Sequence, residues 1–246
     1  MSSKMLSAKS GDTDAVTRLA VLIDAENVSD RYTQYIFEEL AGYADLITYK
    51  RIYGDWTTGR LNSWKKVLLD YSITPIQQYS YTMGKNSTDS ALIIDAMDIL
   101  YNGDVDSFCI VSSDSDFTRL AARLREAGKC VIGMGEKKTP KPFISACQIF
   151  RYLEIISREE QSVENSESDL NDIADEVQRI VDEFSDDSGW VFLGSVGNQL
   201  EKKLPDFDVR NYGFSKLTAL IKATKRFRIE SRQSGDAAPL TYIGNK

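Results

Sequence analysis

Histidine is absent from all 246 residues. That removes every histidine-based triad, every imidazole general base and every imidazole metal ligand, so carboxylates must carry any hydrolytic metal chemistry. Cysteine is scarce. Cys109, Cys130 and Cys147 stand far apart in apolar contexts, which yields neither a disulfide framework nor a zinc pattern and suits a reducing, cytoplasmic setting. No apolar run approaches the ~18 residues that a membrane helix needs, and no secretory leader is recognisable, so neither membrane insertion nor export is expected. Positive charge is in deficit too, with 30 Lys and Arg against 37 Asp and Glu and a formal charge of -7. This balance argues against bulk attraction to nucleic acid and leaves room for a local basic patch.

What remains is ample for a core. Hydrophobic residues make up 42% of the chain, and the length suits one α/β domain of roughly 150 residues plus a smaller module. Residues 1–17 are polar and read as a disordered tail. Leu19 to Ile23 is a short apolar run of the kind a central parallel strand shows, and Asp24 follows it at once. Helical periodicity covers Tyr32 to Leu40, an extended pattern Asp45 to Tyr53, a helix Leu61 to Tyr71 and a strand Thr74 to Tyr79. The polar turn MGKNSTD leads into a helix ending at Tyr101, and Phe108 to Val111 forms another buried strand. After it come the turn SSDSD, a helix to Glu126 closed by Gly128, a fifth strand at Lys129 to Met134 and a last helix near Ile144 to Phe150. Such alternation predicts a parallel sheet covered on both faces. The charged stretch 157–169 reads as a linker. A small winged-helix-like unit is expected over 170–232, and a tail over 233–246.

In a doubly wound sheet, functional groups gather beyond the carboxyl ends of the strands. Asp24 ends the first strand, Asp114 and Asp116 follow the fourth, and Asp89 lies in the first turn of a helix that can approach the same edge. Clustered carboxylates suit a hard divalent cation, which takes oxygen ligands and relieves their repulsion. Structural readings stand beside this one. Asp24 and Asp114 could be turn residues, Asp89 an acid favoured by the helix dipole, and Asp116 the N-cap of the helix that begins at FTRL. Glu26 and Asp95 read as structural, whereas Asn27 and Ser112 could position a water or a phosphate.

Three ordered stretches, LIDAENV, KNSTDSALIIDAMDIL and FCIVSSDSDFTRLAARLREAGKCVIGMGEKKTPKPF, together resemble the NYN domain family of the PIN-like nuclease group, over about Leu19 to Leu153. The resemblance implies a PIN-like three-layer αβα sandwich with a central parallel sheet, spanning 18–156. It also implies a ribonuclease dependent on Mg2+ or Mn2+. Carried over, the catalytic and metal-binding acids are Asp24, Asp89 and Asp114, with Asp116 as a fourth. Asn27 matches the asparagine after the first strand, and Ser113 stands where related sequences often have glycine.

The stretch GWVFLGSVGNQLEKKLPDFDVRNYGFSKLTALI and the closing FRIE resemble the OST-HTH, or LOTUS, domain over about Leu170 to Ile229. That resemblance implies RNA binding, and for some such domains protein partners. Charge agrees: from Glu201 to Arg232 nine basic residues (Lys202, Lys203, Arg210, Lys216, Lys222, Lys225, Arg226, Arg228 and Arg232) face four acids (Glu201, Asp206, Asp208 and Glu230). Tyr212 and Phe214 could stack on bases, although Phe214 reads better as core. In the first domain Lys85, Arg119 and Arg123 could guide an RNA backbone. The expectation is an endoribonuclease acting on single-stranded or looped RNA and leaving 5′-phosphate and 3′-hydroxyl ends. The alternatives are a non-catalytic RNA-binding protein, or a scaffold whose C-terminal domain binds a protein partner or forms a homodimer.

Overall fold

A computed structural model describes residues 16–57, 59–79, 87–157, 167–233 and 239–246. The chain divides into two units, residues 1–157 and 158–246. Lys85, most of the expected tail at 1–17, most of the turn MGKNSTD and most of the expected linker lie outside the described residues.

The first unit runs β1 (Arg18–Asp24), α1 (Thr33–Leu40), β2 (Leu46–Gly54), α2 (Trp64–Asp70), β3 (Thr74–Gln77), α3 (Ser87–Asn102), β4 (Ser107–Val111), α4 (Thr118–Glu126), β5 (Cys130–Gly135), α5 (Lys141–Ala146), β6 (Ile149–Tyr152) and α6 (Leu153–Ile156). Its six strands pair in parallel in the order β3-β2-β1-β4-β5-β6. The alternation of side chains along β1 explains the three layers. Leu19, Val21 and Ile23 enter one apolar cluster with Ile36 and Leu40 of α1, Trp64 of α2 and Leu153 of α6. Ala20 and Leu22 enter the opposite cluster with Leu92 and Ile99 of α3, Leu120 and Leu124 of α4, and Phe143 of α5. A strand buried on both faces must be apolar at every position, which is why β1 reads as an unbroken hydrophobic run. This is the expected PIN-like αβα sandwich.

Strand order places the site. From β1 the chain builds outward through β2 to β3, then crosses back by α3 to β4 on the other side of β1. The carboxyl ends of β1 and β4 therefore form a topological switch point, where the loops diverge and leave a crevice. Because α3 follows β3 and returns toward the start of β4, its first turn lies at that same edge.

One element departs from expectation. The stretch expected as a helix near Ile144 to Phe150 is split: α5 stops at Ala146, Cys147 adopts extended backbone, and Ile149–Tyr152 becomes the edge strand β6 on β5.

The second unit comprises α7 (Glu167–Phe184), β7 (Val191–Phe192), α8 (Leu193–Lys203), α9 (Leu217–Thr224), β8 (Phe227–Arg232) and β9 (Leu240–Asn245). The expected tail at 233–246 is corrected here. Its residues 240–245 form the central strand of an antiparallel sheet, β7-β9-β8, because Ile243 is apolar, fully buried and joins the core made by α7, α8 and α9. Among the described residues no helix is long and apolar enough to cross a membrane.

Candidate active site

Asp24 closes β1 with only 1% of its surface exposed. A carboxylate so placed is costly unless hydrogen-bonded, and three donors answer it. The Glu26 backbone amide donates to Oδ1 at 3.1 Å, Asn27 Nδ2 donates to Oδ2 at 2.7 Å, and Ser112 Oγ donates to Oδ2 at 2.8 Å. Burial still raises the Asp24 pKa, with these hydrogen bonds pulling the other way. Asn27 and Ser112, expected to position a water or a phosphate, hold Asp24 in this structure.

Ser112 also ties β1 to β4. It is fully buried, and its Oγ accepts from the Asp114 amide at 3.1 Å. Asp114 in turn accepts from the Asp116 amide at 3.0 Å, so it caps the 3₁₀ turn Ser115–Phe117 that precedes α4. Asp114, two residues before Asp116, thus caps the 3₁₀ turn that contains Asp116, and the N-cap position of α4 itself falls on Phe117, which makes no side-chain cap. Ser113 Oγ accepts from the Glu136 amide at 2.9 Å, which pins the same loop to the end of β5.

These restraints bring acids together. One carboxylate oxygen from each of Asp89, Asp114 and Asp116 lies within 4.8 Å of the others. Asp24 stands beside this trio, near enough that its charge acts on Asp89. The pKa of Asp89 is pushed up to about 6, first by burial and then by the charges of Asp24, Asp114, Asp116 and Glu26. Glu26, read as structural from the sequence, contributes to this field from an exposed position. Converging hard oxygen donors whose mutual repulsion raises a pKa form a set that fits Mg2+ or Mn2+.

Asp95 is structural, as expected. Arg51 and the buried Tyr53 of β2 both donate to its carboxylate, anchoring α3 to the sheet one and a half turns past Asp89. The basic residues are less concentrated than the sequence suggested. Arg119 is exposed, whereas Arg123 donates to the Tyr101 hydroxyl at 2.6 Å.

In the second unit Lys203 pairs with Glu176 at 3.3 Å, Arg210 with Asp208 at 2.6 Å, and Arg226 with Asp175. Lys202, Lys216, Lys222, Lys225 and Arg228 are exposed. Tyr212 and Phe214 are partly buried and pack against the core of that unit. The sequence reading passed over Trp190, Phe192 and Tyr242. Their one signal was aromatic residues flanking a short apolar pair, and it meant little without the pairing partner.

Comparison with known proteins agrees with this architecture. Residues 18–154 match the NYN domain, a PIN-like and generally ribonuclease-like family, and residues 168–237 match the OST-HTH/LOTUS domain, an RNA-binding module. No curated protein matches the chain. Among solved structures, a protein of unknown function from Vibrio parahaemolyticus is similar at 19% identity over 57% of this chain and 94% of that one, with a TM-score of 0.47. The chain belongs to the NYN domain family and carries an OST-HTH/LOTUS domain on its C-terminal side.

Proposed function

We propose that the protein is a divalent-cation-dependent endoribonuclease whose C-terminal domain recruits single-stranded or looped RNA. The observation that carries this reading is the convergence of Asp89, Asp114 and Asp116 beside the buried Asp24 at the β1/β4 switch point of an NYN domain. Asp89, Asp114 and Asp116 would hold Mg2+ or Mn2+. Such a cation, when bound, polarises a phosphoryl oxygen and lowers the pKa of an attacking water.

The protein's own residues supply orientation. Asn27 and Ser112 fix the carboxylate of Asp24, and Ser112 sets the backbone that presents Asp114. With no histidine in the chain, the proton released by the nucleophilic water passes to a carboxylate or to solvent. Arg119 is placed on α4, just beyond the acidic loop, where it could meet the RNA backbone. A tethered RNA-binding domain raises the local concentration of substrate without adding a contact at the acids.

The test is cleavage of an end-labelled structured RNA with Mn2+, Mg2+ or EDTA, beside a chain carrying both Asp24→Asn and Asp114→Asn. Metal-dependent cutting that the double variant loses is the expected result, with 5′-phosphate ends on the products. No cutting across several RNAs, with binding intact, would overturn the nuclease reading and leave an RNA-binding protein.

A further inference from the structure

The sheet β7-β9-β8 has two unlike faces. Alternation along the strands sends Phe227, Ile229 and Ile243 into the core. The opposite face carries Arg228, Glu230 and Arg232 from β8, Tyr242 and Leu240 from β9, and Phe192 from β7. Cross-strand pairing sets Phe192 and Glu230 on either side of Tyr242, and Arg232 beside Leu240.

Trp190 lies across this face. A Cβ at Gly244 would sit 3.4 Å from its ring, so the indole rests on the one position of β9 that lacks a side chain. The backbone of Trp190 is fixed by Asp186, whose carboxylate accepts from the Trp190 amide at 3.0 Å and whose own amide donates to the Trp190 carbonyl at 2.8 Å. The guanidinium groups of Arg228 and Arg232 lie 5.0 and 5.2 Å from the Trp190 ring centroid, and Arg232 lies 4.6 Å from that of Tyr242. Phe192 and Tyr242 follow at 5.9 Å, and Phe192 and Leu240 are exposed. The result is a continuous surface of aromatic rings and planar cations.

The charge at one end of the sheet agrees. Lys246, just past β9, donates through Nζ to the Lys225 carbonyl, and its backbone amide donates to the Arg226 carbonyl, so Lys225 and Lys246 meet near Arg228, whereas the Arg226 guanidinium turns to Asp175 and Asn171 of α7. The acids at this end of the sheet are engaged: Glu230 is held by Arg232 at 3.2 Å, Asp186 by the Trp190 amide, Asp175 by Arg226, and Asp182 accepts from Asn245 Nδ2 at 2.7 Å. A single-stranded nucleic acid supplies the complement that both features ask for. Its bases stack on aromatic rings and on guanidinium planes, and its phosphates meet the cations.

We propose that this outer sheet face, centred on Trp190 and Tyr242 and bordered by Arg228, is a stacking platform for single-stranded RNA. The inference rests on the RNA-recruiting half of the reading above and is independent of whether the acids cut. It places the contact on the sheet, away from the core-packed Tyr212 and Phe214.

The experiment uses the full chain in EDTA with a fluorescein-labelled, unstructured single-stranded RNA, following fluorescence anisotropy and tryptophan emission. Arg228 is exposed, so Arg228→Ala leaves the core intact, and it is expected to weaken binding on the order of tenfold. Tyr242→Ala should do the same, and Tyr242→Phe should bind as the unaltered chain does. RNA should quench tryptophan emission in the unaltered chain. In Trp190→Phe the quenching should disappear while binding persists, because phenylalanine still stacks.

Affinity unchanged in both Arg228→Ala and Tyr242→Ala, or quenching that survives Trp190→Phe, would overturn the proposal. An unaltered chain that binds no RNA would also overturn it, and would return the face to a protein partner. Asp114→Asn should bind RNA normally, so loss of cleavage alone leaves the platform standing.

Discussion

Replacing Asp89 by asparagine should make the first unit more stable while removing the proposed nuclease activity. The charged form of Asp89 is disfavoured by burial and by four neighbouring carboxylates, which raise its pKa to about 6. Moving a carboxyl from about 4 to about 6 corresponds to roughly 3 kcal/mol against the charged form at neutral pH. Solvent access to the cluster screens part of this, leaving about 1–2 kcal/mol.

The folded chain holds the Asp89 proton up to about pH 6, while the unfolded chain releases it near about pH 4. Between those values the folded state binds more protons. The stability that protonation contributes is therefore fully present below about pH 4 and is lost as pH rises through about 6. Near neutral pH, Asp89→Asn should raise the unfolding midpoint of the first unit by about 2–8 °C in EDTA. At about pH 4 the two proteins should melt together. Trp56 and Trp64 report on this unit by fluorescence.

Saturating Mg2+ should reverse the order, since a ligand that binds only the folded state at a hundred times its Kd adds about 2.7 kcal/mol. The variant, lacking one carboxylate of the trio, should gain less. A variant that is no more stable than the unaltered chain in EDTA at neutral pH, or whose advantage does not depend on pH, would refute the reasoning.

Ser112→Ala removes a buried hydroxyl that both donates to Asp24 and accepts from the Asp114 amide. It should cost about 1–3 kcal/mol in urea unfolding and lower cleavage more than binding. Gly135→Ala would place a Cβ 2.6 Å from the Ser112 carbonyl oxygen and 2.5 Å from Thr139 Oγ1. Overpacking there should destabilise by about 1–3 kcal/mol, readable by chemical denaturation, and a neutral result would mean that β4 and β5 can separate freely. Ending the chain before Leu240 removes the middle strand of the second sheet and uncovers the core around Ile243. The second unit should then lose its cooperative unfolding transition, and hydrogen exchange across β8 should become fast.

The parts of this protein that could be read from its residues are those in which one local feature decides the outcome. β1 and β4 are buried on both faces, so Leu19–Ile23 and Phe108–Val111 are apolar throughout and announce themselves. Asp24 ends one such strand and Asp114 lies just past the other, beyond Ser112 and Ser113, and the switch-point rule carries them to one edge without further information. Asp89 was legible for a similar reason, because a helix that crosses from β3 to β4 must begin at that edge. Where a residue's role depends on a residue or two more or less, local reading left two roles open. Asp116 was expected in the acidic cluster with the cap of α4 as its structural alternative; the cap of the 3₁₀ turn Ser115–Phe117 falls to Asp114, and one carboxylate oxygen of Asp116 lies within 4.8 Å of those of Asp89 and Asp114.

In the second unit the module was legible and its last strand was not, for a different reason. LTYIGN buries only Ile243 and Gly244, so its alternation is too weak to mark a strand by itself. Its identity comes from partners on both sides, one of them Val191–Phe192 some fifty residues earlier. Pairing over that separation leaves almost no trace in either segment, since each need only be compatible with the other. The face that Trp190, Tyr242 and Arg228 share has the same origin. Gly244 is an unremarked residue until β9 is placed, and only then is it the floor on which an indole and two guanidinium groups can lie. An acidic cluster built at strand ends follows from topology, whereas an aromatic and cationic face built across strands follows from register. Periodicity can disclose the first, but the second appears only when the strands are laid side by side.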